Sequence, residues 1–127
     1  LVHGAGDVHA DRVQADIFDA TLKGSGDVSV DELAAETVAL SIAGSGDFKA
    51  GGRAGTVGVV IEGSGDVRIE GLAAKTVAVR IAGSGDAFVH ATERLQVRIG
   101  GSGDVRYRGA PQVEKTIAGS GEVRPLR

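Results

Sequence analysis

The stretch VAVRIAGSGDAFV, residues 77–89, decides how this chain folds. Apolar residues occupy every second position on both sides of the tetrapeptide Gly-Ser-Gly-Asp, which begins at Gly83. In an extended chain, a period of two places alternate side chains on the same face. The stretch therefore predicts two β segments that meet at a glycine corner and share one apolar face.

The tetrapeptide, or a close variant of it, recurs along the whole sequence at intervals of 18 to 20 residues. One such unit cannot bury its apolar face alone, whereas stacked units pair at a spacing of about 4.8 Å and bury the face together. The repeat predicts an all-β fold, a β-solenoid of about seven coils that fills residues 1–127 as a single domain. The copies begin at Gly4, Gly24, Gly44, Gly63, Gly83, Gly101 and Gly119.

The composition agrees with a thin aliphatic core and excludes several classes of protein. Of the 127 residues, 42% are hydrophobic, only 3% are aromatic, and none is cysteine, which excludes disulfides and thiolate metal sites. A net charge of -3 offers no basic surface for nucleic acid, and no apolar run is long enough to span a membrane. Since the chain opens at Leu1 and contains no methionine, we expect a segment of a longer precursor.

The repeated motif is predicted to be structural. Glycine permits a sharp corner and a close approach of neighbouring coils, and Ser and Asp can bond to backbone amides at a bend. Alternation predicts that both glycines face the core while Ser and Asp face outward. At the opposite corner, where coil length varies, we expect Leu33 and Leu72 to point inward. The predicted turn ladder comprises Gly24, Ser25, Gly26, Asp27, Gly44, Ser45, Gly46, Asp47, Gly63, Ser64, Gly65, Asp66, Gly83, Ser84, Gly85, Asp86, Gly101, Ser102, Gly103 and Asp104.

Stacking the motif also stacks its acids, and two carboxylates about 4.8 Å apart repel by nearly 1 kcal/mol in water. We expect cations two residues further on to relieve this repulsion, in the pairs Asp66–Arg68, Asp104–Arg106 and Glu122–Arg124. Calcium is the alternative, because calcium-binding β-rolls repeat G-G-x-G-x-D-x-U-x. Here Asp follows the second glycine directly and half of each coil lacks the motif, so no metal or other cofactor is predicted.

Catalysis is not predicted either. An enzyme needs one asymmetric site with separated pKa values, whereas this pattern repeats in every coil. His3, His9 and His90 are scattered over outward positions and are expected to be solvated. The remaining feature is a flat outward strip beside Val60 that could pack against another protein or a sugar polymer. Its residues are Asp19, Ala39, Gly58, Ala78, Gln96 and Glu114.

Four copies carry a resemblance to a known family: IAGSGDF (42–48), IEGSGDV (61–67), IAGSGDA (81–87) and IGGSGDV (99–105). They resemble the bacterial family called "putative auto-transporter adhesin, head GIN domain". The resemblance implies a right-handed parallel β-helix in an exported protein, in the periplasm, at the outer membrane or on the cell surface. It favours a non-enzymatic structural or interaction module of adhesin type.

Alternatives to that function remain at this point. One is a self-assembling scaffold similar to the bactofilins, and another is a carbohydrate-binding or carbohydrate-active β-helix. Either a protein or a polysaccharide could be the partner. A homo-oligomer could form through the small-residue strip or through the N-terminal coil. We expect Val2, Val8 and Val13 of that coil to be covered either by residues outside this segment or by another subunit.

Overall fold

The computed structural model describes residues 8–24, 26–109 and 111–125, and of Val8 it describes the backbone alone. These residues form strands and connecting corners, without any helix. The eight strands are β1 (Val8–Gly24), β2 (Val28–Gly44), β3 (Phe48–Gly63), β4 (Val67–Gly83), β5 (Ala87–Ile99), β6 (Asp104–Arg108), β7 (Gln112–Ile117) and β8 (Glu122–Pro125).

All the strand pairing is parallel and joins each coil to the next. The strands follow the order β1-β2-β3-β4-β5-β6-β8, and β7 pairs with β5 beside β6. Val28 pairs with Phe48 and Phe48 with Val67, so the register equals the repeat interval of the sequence. The predicted β-solenoid is therefore confirmed, with about six turns. The expected seven coils counted the copy at Gly4, which lies outside the described residues, and the right-handed sense stays a prediction.

The core consists of aliphatic ladders that run along the solenoid. Ile42, Ile61, Ile81 and Ile99 occupy one ladder, and each is at most 1% exposed. Phe48 is the largest fully buried side chain, and the described residues include no buried polar or charged side chain. Because burial of one such aliphatic side chain contributes about 1.5–3 kcal/mol, the stacked ladders supply the main stabilising term of the fold.

The corner opposite the motif absorbs the differences in coil length. Leu33 and Leu72 are completely buried there, which confirms their predicted inward orientation. The register shifts between Val30 and Leu33, and again between Lys49 and Gly51. A shift confined to this corner lets coils of different length stay in register along both apolar walls.

The last coil is less apolar than the others. Lys115 and Pro125 stand in columns that are apolar in earlier coils. Lys115 pairs with Val97 of the preceding coil, and Pro125 pairs with Tyr107. Both side chains are exposed. A charged residue and a residue without an amide donor are features that discourage addition of a further strand to a sheet edge.

Both glycines of the motif lack space for a side chain, and the first often has a conformational requirement as well. A Cβ at Gly63 would lie 2.6 Å from the carbonyl oxygen of Gly44. The first glycine is left-handed at most copies, with φ of +127° at Gly63 and +148° at Gly83, and it lies at or near the surface. The second is buried, and a Cβ at Gly65 would lie 2.6 Å from Cγ2 of Ile42 and closer still to the carbonyl oxygen of Gly46. The expectation that both glycines face the core holds for the second, which is buried, and is wrong for the first, which is exposed or partly exposed.

We predict that Gly65→Ala destabilises the fold by about 1–3 kcal/mol, because the added methyl group has no space between adjacent coils. Gly58 is the matched control, since a Cβ there meets only the carbonyl oxygen of Val38, at 3.9 Å. Gly58→Ala should be neutral or stabilise by about 0.5–1 kcal/mol, since glycine weakens a strand interior. Denaturant unfolding of both variants measures the difference, and equal effects would contradict the close approach of the corners.

Candidate functional site

The motif aspartates form a ladder of hydrogen bonds along the solenoid. The backbone N–H of Asp47 donates to Oδ1 of Asp27 at 3.1 Å, and that of Asp66 donates to Oδ1 of Asp47 at 3.3 Å. The pattern continues through Asp86 and Asp104, with N···O distances of 3.2 Å. Each of these carboxylates therefore accepts the amide of the equivalent residue one coil later. A hydrogen bond to an ionised acceptor is roughly twice as strong as a neutral one.

The backbone carbonyls of the same residues extend the ladder. The N–H groups of Val28, Phe48 and Val67 donate to the carbonyl oxygens of Asp47, Asp66 and Asp86 respectively, each at 2.9 Å. An internal aspartate such as Asp66 thus makes three hydrogen bonds, through its N–H, its carboxylate and its carbonyl group. This continuity fixes the axial position of each corner relative to its neighbours.

The motif serines take part through the backbone. The N–H of Ser45 donates to the carbonyl oxygen of Gly24 at 3.0 Å, and that of Ser84 donates to Gly63 at the same distance. The side chains of Ser45, Ser64, Ser84 and Ser102 are exposed, as the alternation predicted. Ser25 lies outside the described residues. The buried second glycines of the predicted ladder are Gly26, Gly46, Gly65, Gly85 and Gly103, and the first are Gly24, Gly44, Gly63, Gly83 and Gly101.

The expected charge pairs are mostly absent from the residues that the structure describes. Glu122 and Arg124 form an ion pair, but neither Asp66–Arg68 nor Asp104–Arg106 comes within ion-pair distance. The guanidinium of Arg106 lies 5.8 Å from the centre of the Phe88 ring instead. The prediction is confirmed for Glu122–Arg124 and wrong for the other two pairs. There the amide of the next coil reaches the carboxylate and offsets the repulsion, so a cation is not needed.

We predict that Asp66→Ala lowers the free energy of unfolding by about 1–2 kcal/mol, because the amide of Asp86 loses its acceptor at a partly buried position. Asp66→Asn keeps a carbonyl oxygen in place and should cost less than half as much. Glu62→Ala is the control, because Glu62 is an exposed acid outside the motif. This substitution should change stability by under about 0.5 kcal/mol. Equal losses for Asp66→Ala and Glu62→Ala in chemical denaturation would refute the ladder.

Ligand groups suited to a metal ion converge at one place in the described chain, away from the motif. Nε2 of His9 lies 3.2 Å from Oδ1 of Asp11 and 3.5 Å from Oδ2 of Asp31. His9 is solvent-exposed, as expected, and it lies beside two acids. All three side chains are at least 60% exposed, so solvent screens their interaction.

We predict that folding does not depend on calcium, because Oδ1 of each motif aspartate from Asp27 to Asp104 already accepts a backbone amide. Thermal unfolding curves recorded with EDTA and with millimolar calcium should superimpose. A rise of about ten degrees in Tm with calcium is the shift expected of a saturated native-state site, and it would contradict this prediction.

The predicted flat strip is in fact the floor of a groove of about 520 Å³. It runs along the outer face of the wall formed by β1 to β5 and β7. Ala39, Gly58 and Ala78 carry at most a methyl group, so the surface is depressed between larger neighbours. The prediction considered one column of residues, and the structure adds the neighbouring outward column as a second side of this shallow groove. The second lining column comprises Ser41, Val60, Arg80, Arg98 and Thr116.

Charge is distributed unevenly along this groove. Arg80 and Arg98 stand in register on adjacent coils, and neither has a carboxylate within ion-pair distance in the described part of the chain. Glu114 lies one coil further on, where Oε2 accepts a hydrogen bond from Nε2 of Gln96 at 3.2 Å. Asp19 lies at the opposite end. The groove thus has an apolar middle, a pair of cations towards one end and one acid at each end.

Residues 2–111 match the family described as "putative auto-transporter adhesin, head GIN domain". The chain belongs to this family. The match extends over most of the sequence and includes every motif copy except the last. Among curated proteins none matches this GIN domain. Among the described residues, no helix is long and apolar enough to cross a membrane.

Solved structures that resemble this GIN domain come from Bacteroides and Parabacteroides species. A "putative adhesin" of Parabacteroides distasonis is 30% identical, with a TM-score of 0.89 over 98% of this chain and 58% of the other. One from Parabacteroides merdae is 27% identical, with a TM-score of 0.90 over 98% and 57%. One from Bacteroides fragilis, at 23% identity, shares the fold with a TM-score of 0.84 over 96% and 60%. The chain therefore spans about three-fifths of each of these structures.

Sequence reasoning missed the arginine pair as a feature of the site. Arg80 and Arg98 occupy the same outward column, 18 residues apart, which equals the local repeat interval. That spacing was the available signal, because equal positions in successive coils become neighbours. The sequence does not show that these arginines line a groove, because the groove is formed by the small residues of the adjoining column.

Proposed function

We propose that this GIN domain is a non-enzymatic interaction module of adhesin type, exported to the envelope or surface of the cell. Family membership and the similarity to proteins described as adhesins support this proposal. The observation that carries it is the groove, which is open to solvent along the side of a rigid solenoid and presents recognition groups over an aliphatic floor.

The groove suits binding better than chemistry. Its lining combines aliphatic side chains with two arginines, an amide and two acids, and Asp19 and Glu114 are separated by five coil spacings, roughly 24 Å at about 4.8 Å each. Acid–base catalysis by two carboxylates needs them far closer together, within about 10 Å. A parallel β-sheet holds equivalent side chains of successive coils about 4.8 Å apart. This regular spacing suits repeated contacts along the surface of a large partner.

A first experiment tests binding and location together. Beads coated with the domain should adhere to cells or matrix from the organism's habitat, and Gly58→Leu should reduce adhesion because it fills the groove without a backbone clash. Gly71→Leu is the control, since Gly71 is exposed and the nearest atom to its Cβ, at 3.8 Å, belongs to another glycine, Gly51. Antibodies against the domain should label intact cells.

Four results would count against the proposal. Adhesion that is unchanged by Gly58→Leu would remove the groove from the function, and labelling confined to lysed cells would contradict export. Turnover in a panel of polysaccharides, lost on substitution of groove residues, would make the domain an enzyme. Concentration-dependent filaments in electron micrographs would favour the self-assembling scaffold instead.

A further inference from the structure

We propose that the groove binds an anionic amphiphile, specifically a long-chain fatty acid. Its carboxylate would lie against Arg80 and Arg98, and its aliphatic chain would run over Ala78, Gly58 and Ala39. This inference rests on the proposed function only in treating the groove as a binding site. It adds the chemical class of the ligand.

The arginine pair indicates the charge of the ligand. Like charges directly opposite on adjacent strands are destabilising, yet Arg80 and Arg98 stand in register with no acid to neutralise them among the residues described. Glu114, the nearest acid along the groove, is bonded to Gln96. A guanidinium group presents a planar fork of donors that matches a carboxylate. Two such forks on successive coils form a site for an anion supplied from outside.

The distribution of charge indicates that the ligand has one charged end. Asp19 and Glu114 lie at opposite ends of the groove, so a linear polyanion that filled it would meet a carboxylate at each end. A ligand with a single anionic group avoids both acids when that group lies at Arg80 and Arg98. The rest of the ligand then extends over Ala78 and Gly58, away from Glu114.

The floor indicates that the remainder of the ligand is aliphatic. The side chains of Ala39, Val60 and Ala78 are small or branched hydrocarbons, and the residues that line the groove include no aromatic ring. Without an aromatic ring, the groove offers no stacking platform to a sugar. The volume of about 520 Å³ falls within the roughly 300–1,000 Å³ of small-molecule sites. A flexible hydrocarbon chain fits a shallow, narrow groove of this kind.

The test measures binding of laurate, below its micelle concentration, to the purified domain by calorimetry. Octanoate, laurate and palmitate should bind with increasing affinity, while acetate and dodecanol, which lack the tail or the charge, should bind at least about tenfold more weakly than laurate. The double variant Arg80→Gln/Arg98→Gln should weaken laurate binding at least about tenfold. Its matched control, Arg53→Gln/Arg68→Gln, removes the same charge from other walls and should leave affinity within about twofold.

Gly58→Leu gives a second, independent variant, because the added side chain occupies the floor and a Cβ at this position meets no atom closer than 3.9 Å. It should abolish laurate binding while the circular dichroism spectrum and the unfolding midpoint are retained. Equal weakening by both double variants would indicate nonspecific charge attraction and overturn the proposal. Binding to vesicles of anionic phospholipid without binding to laurate would also overturn it, in favour of a membrane surface.

The failure of this inference can be distinguished from failure of the proposed function. If laurate does not bind but Gly58→Leu still reduces adhesion to cells, the groove is an adhesive site with a different ligand. If Gly58→Leu affects neither measurement, the groove has neither role.

Discussion

The close contact between the glycine corners of successive coils is the constraint on which the rest of this structure depends. The carbonyl oxygen of each second glycine occupies the space that a Cβ on the next second glycine would need, as at Gly46 and Gly65. Only because the backbones approach so closely does the amide of Asp66 reach the carboxylate of Asp47. The same contact sets the register of the walls, since Phe48 then pairs with Val67 and Ile61 with Ile81. Corner, acid ladder and core therefore form a single repeated unit.

The fold could be predicted from the sequence because each column of residues has one dominant requirement. Alternating aliphatic residues must share a face, and this rule alone predicted the buried positions of Ile61, Val79 and Ile81. The partners of the motif acids were harder to predict. Arg68 follows Asp66 by two residues on the same face, and proximity in sequence favoured an ion pair. The amide of Asp86 is nearer in space because it lies directly above the carboxylate, and only the stacking geometry reveals that.

The groove illustrates a different limit of sequence reasoning. Its floor residues Ala39, Gly58 and Ala78 were recognisable as an outward column, but depth is a relation between columns and depends on how far neighbouring side chains extend. Inward positions are restricted by the core and by the glycine contact, whereas outward positions of the same strands can vary freely. The residues that form the core and those that line the groove thus lie on opposite faces of the same wall.

The ladder of motif aspartates repeats the same hydrogen bond at every coil, and this uniformity affects how the number of coils can change. Each step joins a carboxylate to the amide of the following coil, so every internal step is chemically the same, from Asp27 to Glu122. Duplication or deletion of one whole unit would leave each remaining interface unaltered in kind. Gene-level changes of 18 to 20 codons could therefore lengthen or shorten the wall without a new packing solution. The length of a surface groove on that wall could then change in steps of about 4.8 Å, the spacing between neighbouring coils.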